Sequence, residues 1–377
     1  MDKKILIISP FPTHPPYSGN SRCILSYSEM LTEAGYNVYF FWISEYDTTK
    51  EIEEQMIDYW KDKLIIFKQN LGHRLIKVFF RYFRFYRMGY FKVDDYYPFG
   101  IKKVLLRILL NNHFDCVIVN YIFLSKIFKY ITDSKKLLYT HDVFTNRYQI
   151  TGNKWFSVTA NEETKALNRA DAILAIQENE AIFYSYLTNR KVISVYTFFK
   201  LIETPFVGSK VLLYLAGNNY HNIEAITTFI DKVFRVLIPM HPEIKMLIGG
   251  SICKVINRSL GDDSIELIGE IKDSIDFYSL GDIFINPTLS GTGLKLKSFE
   301  AMAYGKVVIS HPHNTSGIYN KEQAPIIVAQ SLDDYVENIN FLFSHKEKII
   351  ELKNESIKYI KELNSIVKER FSEAIEN

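Results

Sequence analysis

The stretch Ser290-Gly-Thr-Gly-Leu-Lys-Leu-Lys-Ser-Phe-Glu-Ala-Met-Ala-Tyr-Gly305 decides the fold of this chain. It lies between two strand-like runs, residues 282–287 directly before it and residues 306–310 directly after it. The pattern predicts a loop that leaves a buried strand, begins a helix and returns to a second, parallel strand. In open α/β sheets, a loop at the carboxyl end of a strand is where ligands bind.

The same stretch has the composition of an anion-binding site. Gly291 and Gly293 allow the backbone to approach a ligand closely, and the free N–H groups at the start of the helix favour a negative charge. Lys295 and Lys297 add positive charge there, and Glu300 places a carboxylate about one turn further along the helix. This combination indicates a phosphorylated ligand that also carries hydroxyl groups.

The composition describes a globular protein in a reducing compartment. The chain has 377 residues, of which 47% are apolar, and a net charge of +2. The length predicts two domains, and the small net charge gives no general attraction to nucleic acid. Cys23, Cys116 and Cys253 are far apart, which argues against a disulfide framework and a zinc site. With no signal-peptide pattern and no apolar run of about 18 residues, we expect a cytoplasmic protein.

Short apolar runs alternate with helical patterns along the whole chain, which predicts parallel sheets. The first series of predicted strands comprises residues 5–8, 38–43, 64–67, 116–119, 137–139, 172–175 and 192–195. The second series comprises residues 211–216, 245–248, 265–268, 282–287, 306–310 and 326–328. The pattern pauses at residues 198–210, which we interpret as a linker.

Residues 73–110 interleave many basic side chains with aromatic ones, and only Asp94 and Asp95 oppose that charge. Such a composition fits a membrane surface that carries anionic lipid, and would place the protein at the inner face of the membrane. It fits equally a solvated helix whose aromatic side chains face the core. The sequence leaves both interpretations open.

Several motifs resemble the glycosyltransferases of family 4, which have the GT-B fold. In the C-terminal half these are Leu267-Ile-Gly-Glu-Ile, Gly281-Asp-Ile-Phe-Ile-Asn-Pro, the Gly-Thr-Gly loop and Glu300-Ala-Met-Ala-Tyr-Gly-Lys-Val-Val-Ile. In the N-terminal half, Pro15-Pro-Tyr-Ser-Gly, Thr140-His-Asp-Val-Phe and Arg169-Ala-Asp-Ala-Ile-Leu-Ala-Ile are similar to the same family. The resemblance follows nearly the whole chain and is most specific between Leu267 and Ser310.

The resemblance implies an α/β fold of two Rossmann-like domains that face each other across a cleft. We expect an acceptor-binding domain at residues 1–200, a nucleotide-sugar-binding domain at 209–353, and a last helix at 354–377 that crosses back to the first domain. The implied activity is sugar transfer from a nucleoside diphosphate sugar to a glycan or lipid-linked acceptor, in the synthesis of a surface polysaccharide or glycoconjugate. The family favours retention of configuration.

Glu300 matches the family carboxylate that accepts both ribose hydroxyls of the nucleotide. An ionised carboxylate has two oxygens and accepts hydrogen bonds without donating any, so it suits a vicinal diol. Lys297 is the catalytic candidate that would offset the charge of the leaving diphosphate. The other donor-binding candidates lie in the glycine loop or at a strand end: Gly269, Gly291, Thr292, Gly293, Leu294 and Lys295.

The chain departs from the family at two places. Thr292 stands where the family often has an acid that positions the sugar. Residues 217–222, Gly-Asn-Asn-Tyr-His-Asn, lack the Arg and Lys that usually neutralise the diphosphate. These departures give Lys295 and Lys297 a larger part in donor binding, because some cation must offset the leaving diphosphate.

His141 follows the predicted strand 137–139, and a His in this neighbourhood contacts the transferred sugar in the family. Asp142 would be the base if the enzyme inverted configuration. The acceptor-side candidates are the loop residue Gly19 and the cations Arg22 and Arg147.

Two other functions remain open at this point. A sugar-nucleotide 2-epimerase can use the same fold without an acceptor, and Thr292 together with the missing Arg and Lys would fit a non-catalytic partner protein. The sequence shows no metal-binding cluster, so we expect neither a metal nor another cofactor to be essential.

Overall fold

The computed structural model describes residues 3–16, 18–152, 155–256, 263–271, 273–289 and 296–377. The chain divides into two compact units. Unit 1 comprises Met1–Phe198 and Ile366–Asn377, and unit 2 comprises Phe199–Ser365. The segment interpreted as a linker begins unit 2 and is held there, since the Ile202 amide donates to the Ala303 carbonyl at 3.1 Å.

Unit 1 is built on a seven-stranded parallel sheet with the strand order β3-β2-β1-β4-β5-β6-β7. Its strands are β1 (Lys4–Ser9), β2 (Asn37–Ser44), β3 (Leu64–Lys68), β4 (Cys116–Asn120), β5 (Lys135–Tyr139), β6 (Ala172–Ala175) and β7 (Lys191–Ser194). The central strands are apolar runs with both faces covered, which is what a parallel sheet between two helix layers requires. Residues 5–8 of β1, for example, are fully buried.

Unit 2 repeats this design with a six-stranded parallel sheet in the order β10-β9-β8-β11-β12-β13. Its strands are β8 (Val211–Leu215), β9 (Lys245–Gly249), β10 (Ile265–Gly269), β11 (Ile283–Asn286), β12 (Val307–Ser310) and β13 (Ile326–Val328). Every strand predicted from the sequence is present, so the predicted α/β fold is confirmed.

The helices that cover the two sheets follow the predicted alternation. In unit 1 they are α1 (Gly19–Glu33), α2 (Lys50–Trp60), α3 (Leu71–Phe80), α4 (Tyr86–Met88), α5 (Ile101–Asn111), α6 (Arg147–Thr151), α7 (Ala160–Leu167) and α8 (Glu178–Leu187). In unit 2 they are α9 (Tyr220–Phe229), α10 (Arg235–Leu237), α11 (Ser274–Tyr278), α12 (Leu296–Ala303) and α13 (Leu332–Ser344). The last helix, α14 (Lys346–Glu376), contributes residues to both units.

In the part of the chain that the structure describes, two π-helical turns and several 3-10 helices complete the secondary structure. The π-helical turn Arg81–Phe85 joins α3 to α4, and Ile230–Phe234 joins α9 to α10. The 3-10 helices are Lys61–Lys63, Ile122–Tyr130, Ser251–Lys254, Pro312–Thr315 and Lys321–Gln323. Within the described ranges, none of the helices has both the length and the hydropathy that crossing a membrane demands.

The strand order reverses once in each sheet. In unit 1 the chain builds outward from β1 through β2 and β3, then returns to place β4 on the other side of β1. In unit 2 it does the same around β8, with β11 on the far side. The connections on either side of such a reversal lead away from each other, which opens a crevice at the carboxyl ends of the two central strands.

A buried ion pair holds the first half of α14 within unit 2. The Lys353 ammonium lies 2.9 Å from an Asp282 carboxylate oxygen, and the two side chains are 8% and 1% exposed. Asp282 also accepts the backbone N–H groups of Val207 and Gly208, at 3.1 and 2.8 Å. The carboxylate therefore joins three segments of unit 2, just before β11 begins.

We expect Lys353→Met to lower the free energy of unfolding by about 3–5 kcal/mol, because it leaves the Asp282 carboxylate buried without its cation. Urea titration measures the change. Lys348→Met is the matched control on the same helix, since its pair with Glu351 is exposed and its loss should cost about 1 kcal/mol or less. Equal losses in the two variants would show that the buried pair has no special role.

Candidate functional site

The carboxyl end of β11 is held by a network of hydrogen bonds around Asn286, which is fully buried. Its side-chain amide donates to Ser298 Oγ at 2.9 Å and accepts from the Thr288 hydroxyl at 3.1 Å. Its backbone carbonyl accepts from Asn314 Nδ2 at 2.9 Å and from the Tyr335 hydroxyl at 3.2 Å. The contact with Ser298 fixes the first turn of α12 against the end of the strand.

Lys297 lies in this first turn and extends towards the strand order reversal. Its ammonium donates to Thr288 Oγ1 at 3.1 Å and to Asn222 Oδ1 at 3.3 Å, and lies 4.9 Å from the centre of the Tyr214 ring. Tyr214 belongs to β8 and Asn222 to α9, so the lysine connects the two sides of the reversal. These contacts hold a positive charge at the place where an open α/β sheet binds its ligand.

Lys297 supplies a positive charge beside residues 217–222, the loop that lacks the Arg and Lys of the family. This segment leads from β8 into α9, where the Asn219 side chain caps the helix by accepting the Asn222 amide at 3.0 Å. The segment supplies no Lys or Arg of its own, but the Lys297 ammonium reaches the side chain of Asn222. A cation therefore stands beside this loop, although it comes from a distant part of the sequence.

Glu300 lies on α12, one turn after Lys297, and its side chain is half-buried. Its Oε1 accepts the Ser274 hydroxyl at 3.3 Å. Ser274 begins α11, which follows β10. The structure thus places Glu300 next to the connection between β10 and α11.

The predicted loop residues Gly291, Thr292, Gly293, Leu294 and Lys295 lie outside the described residues. Gly269, the remaining donor-side candidate, ends β10 with φ of +85° and accepts the Gly250 amide at 2.7 Å. Gly250 itself has φ of +97°, and a Cβ there would lie 2.3 Å from the Ala216 carbonyl oxygen. The backbone at the ends of β8 and β9 is therefore packed too closely for any residue but glycine at 250.

In unit 1, Asn120 ends β4 beside the reversal and fixes the orientation of His141. Its Nδ2 donates to the Ile8 carbonyl at 3.1 Å and to the Tyr27 hydroxyl at 2.8 Å, so Oδ1 must be the acceptor that faces His141. The distance from this oxygen to His141 Nε2 is 2.9 Å. Nε2 therefore carries the proton, and Nδ1 keeps its lone pair.

The His141 ring is buried between aromatic side chains. It stacks on Tyr121 with 4.3 Å between ring centres and meets the edge of Tyr139 at 4.8 Å. Burial lowers the pKa of His141 to about 3, so the imidazole is neutral at physiological pH. Because Nδ1 has no hydrogen-bond partner among the described residues, it can accept a hydroxyl hydrogen bond.

Asp142 and Arg147, both predicted from the sequence, form an ion pair. Arg147 Nη1 lies 3.0 Å from Asp142 Oδ2, and the two side chains are 11% and 22% exposed. The guanidinium also lies over the rings of Phe144 and Trp155, at 5.2 and 5.6 Å from their centres. The structure therefore brings Asp142, Arg147 and the neighbouring His141 together at the carboxyl end of β5.

Gly19 and Arg22, the other acceptor-side candidates, lie in the first turn of α1. This helix follows the loop that leaves β1. Ser18 caps this helix by accepting the Ser21 amide at 3.1 Å, and Gly19 is its first residue. Arg22 Nε donates to the Pro16 carbonyl at 2.9 Å. Arg22 is therefore engaged in holding the loop after β1.

Glu163 lies in the first turn of α7, and its carboxylate contacts the loop after β5. It is fully buried and accepts the backbone amides of Phe144 and Thr145 at 3.0 and 2.7 Å. Burial raises the pKa of Glu163 to about 7, although these hydrogen bonds oppose the shift. The carboxylate holds the loop that carries His141 and Asp142.

Glu180 is a buried carboxyl that sequence reasoning missed. It lies in the first turn of α8, after β6, and is 6% exposed. Gln177 donates to its Oε1 at 3.0 Å, whereas Oε2 has no hydrogen-bond partner among the described residues. Burial raises the pKa of Glu180 to about 8, and the Asp142 and Glu163 charges add to the shift. In the sequence, the only indication that Glu180 has a role was its position shortly after the end of a predicted strand.

Residues 209–345 match the family described as glycosyl transferases group 1. Unit 2 is that of a group 1 glycosyltransferase. The enzyme class inferred from the sequence is therefore confirmed. The match lies within unit 2, and it contains the Asn286 network, Lys297 and Glu300.

Comparisons over the whole chain support the fold. The enzyme is 25% identical over 358 residues to a Klebsiella pneumoniae protein known only as an uncharacterized 44.6 kDa protein in the cps region, with 86% of this chain and 87% of that protein covered. Two solved structures share its fold. One is Anabaena HepE with UDP and glucose (TM-score 0.67, 11% identity, 99% of each chain). The other is a variant of S. aureus TarM with fondaparinux, alpha-GlcNAc-glycerol and UDP (TM-score 0.67, 11% identity, 100% of each chain).

We expect Glu180→Gln to remove a contribution that lowers the free energy of unfolding as pH rises from about 5 to 8.5, so the slope in this window should be more positive in the variant than in the wild type. The unfolded carboxyl titrates near 4.5 and the folded one near 8, so the folded state binds more protons in this window. One such group contributes at most about 1.4 kcal/mol per pH unit.

Urea titrations at several pH values measure this slope. Glu54→Gln is the control, because that side chain is exposed and the change should leave the slope as it is in the wild type. An unchanged slope in Glu180→Gln would mean that Glu180 is ionised throughout the window.

Proposed function

We propose that this enzyme transfers a sugar from a nucleoside diphosphate sugar to a glycan or lipid-linked acceptor in the synthesis of a surface polysaccharide or glycoconjugate. The observation that carries the proposal is the placement of Lys297 and Glu300 one turn apart on α12, at the strand order reversal of unit 2. The relative from a cps region supports a role in polysaccharide synthesis. The UDP complexes of HepE and TarM support a uridine nucleotide as the donor.

In the donor complex, Glu300 binds the two ribose hydroxyls and the start of α12 faces the diphosphate. The carboxylate can accept both hydroxyls of a diol, and free N–H groups at a helix start bind phosphate oxygens. Lys297 lies within the first turn of the same helix, so its ammonium can reach the diphosphate while Glu300 holds the ribose. The loop residues 291–295 and Gly269 would line the same pocket.

The transfer breaks the bond between the anomeric carbon and the diphosphate, and forms a bond from that carbon to an acceptor oxygen. Positive charge develops on the sugar and negative charge grows on the diphosphate. A cation aimed at the diphosphate therefore stabilises the transition state more than the bound donor. We assign this role to Lys297, and expect transfer to proceed without an essential metal ion.

We favour retention of configuration, in which the departing phosphate takes the proton of the acceptor hydroxyl. Both candidate bases for inversion are poorly suited to the role: Asp142 is paired with Arg147, and burial lowers the pKa of His141 to about 3, so its imidazole is a weak base. His141 Nδ1, which has a lone pair, would instead accept a hydroxyl of the transferred sugar. We place Gly19 and Arg22 on the side of the site that binds the acceptor. We place the enzyme at the cytoplasmic face of a membrane.

We expect Glu300→Ala to weaken UDP binding by about tenfold to a hundredfold, since a charged hydrogen bond is worth about 1.5–3 kcal/mol. Calorimetric titration with UDP measures the affinity. Glu266→Ala, at an exposed position of β10, is the control and should bind like the wild type. If Glu300→Ala bound UDP with wild-type affinity, the assignment of Glu300 to the donor site would be wrong.

We expect Lys297→Met to lower kcat by about a hundredfold to a thousandfold and to change donor affinity much less, because its charge acts mainly on the transition state. Release of UDP from a panel of UDP-sugars measures the rate. Lys232→Met is the exposed control in the same unit. A variant that lost affinity and kept kcat would show that Lys297 only binds the donor.

A further inference from the structure

The helical segment from Leu71 to Met88 presents an apolar face to solvent. Six large side chains on it are each more than half exposed: Leu75, Phe79, Tyr82, Phe83, Tyr86 and Met88. At about 200 Å² per side chain they leave roughly 600 Å² or more uncovered. Monomeric proteins rarely expose a contiguous apolar patch of this size unless the patch binds something. We call this surface the aromatic face.

The aromatic face is not needed for the core of unit 1. The segment contacts the unit through a narrow side, where His73 and Phe85 are buried. Phe85 packs against Phe91 and Tyr148, with ring centres 5.1 and 5.0 Å apart. The interpretation that the aromatic side chains of this segment face the core therefore holds for Phe85 and is wrong for the exposed ones.

The exposed rings are arranged in two rows along the helix. Phe79 stacks on Phe83 with 5.5 Å between ring centres, and Tyr82 lies 5.3 Å from Tyr86. Their spacing of four residues places each pair one above the other on one side of the segment. Because the rings already pack against each other, they lose little side-chain conformational entropy when this face binds another surface.

Basic side chains outnumber acidic ones around the aromatic face, although Lys77 is paired with Glu45 and Arg84 with Asp95. Between residues 63 and 93 the sequence contains eight Lys and Arg and no Asp or Glu. Arg74 and Arg87 are exposed on the segment itself. Beside its start lies Phe99, which is 76% exposed and whose ring centre is 6.4 Å from that of His73. Lys102 and Lys103 follow Phe99 and are also exposed.

We propose that the aromatic face docks on a membrane surface that contains anionic phospholipid. Aromatic side chains are favoured at the boundary between headgroups and acyl chains, and basic side chains beside them pair with lipid phosphates. A second copy of the chain would bring the same positive charge against this one, which opposes self-association through this face. The inference deepens the membrane location within the proposed function, but it rests on a surface in unit 1 that takes no part in donor binding.

Vesicle sedimentation with the full chain tests the proposal. Protein should pellet with vesicles of phosphatidylcholine and phosphatidylglycerol, stay in solution with phosphatidylcholine alone, and be released as salt concentration rises. Arg74→Glu with Arg87→Glu should weaken binding at least about tenfold, since each basic residue near an anionic surface contributes roughly fivefold. Phe79→Ser with Phe83→Ser should weaken it at least as much.

The matched control is Ile182→Ser with Tyr186→Ser, which changes two side chains of α8 that are 53% and 84% exposed and lie in a segment without the basic cluster. It should pellet like the wild type. UDP affinity should be unchanged in every variant, so a loss of lipid binding is separable from a failure of the donor site.

Three results would overturn the proposal. The first is protein that stays in solution with both kinds of vesicle, and the second is equal pelleting with phosphatidylcholine alone. The third is a homodimer in light scattering that Phe79→Ser with Phe83→Ser converts to a monomer, because the aromatic face would then belong to a second copy of the chain.

Discussion

The constraint on which the structure depends is the reversal of strand order beside the first strand of each sheet. In both units the first six strands follow the order 3-2-1-4-5-6, and the fourth strand ends in a fully buried asparagine. Asn120 ends β4 in unit 1, and Asn286 ends β11 in unit 2. A polar side chain can be buried there only if its hydrogen bonds are satisfied, and satisfying them ties neighbouring segments to the strand end.

These two asparagines serve different purposes from the same position. Asn286 binds Ser298 and so sets where α12 begins, which in turn places Lys297 and Glu300 at the reversal. Asn120 is itself oriented by the Ile8 carbonyl, and therefore determines which nitrogen of His141 carries the proton. In each unit, one buried asparagine at a strand end therefore orients a side chain that is a candidate for binding or catalysis.

The sequence predicted the strands of both sheets and the helix that carries Glu300, because each rests on local periodicity or on a motif within a few residues. Asn120 and Glu180 escaped prediction because their importance comes from burial and from partners distant in the chain. The contact of Lys297 with Asn222 could not be foreseen for the same reason: it places a cation beside a loop whose own residues lack one. The sequence also left two interpretations of residues 73–110, because the exposure of each ring depends on tertiary packing that the sequence pattern does not fix.

The central claim is that unit 2 binds the nucleotide of the donor at the end of β11, and a crystal structure of the enzyme soaked with UDP tests it most directly. The account predicts ribose hydroxyls within hydrogen-bond distance of the Glu300 carboxylate, and diphosphate oxygens at the start of α12 beside the Lys297 ammonium. Nucleotide bound elsewhere in unit 2, or against His141 in unit 1 with Glu300 and Lys297 uninvolved, would contradict it.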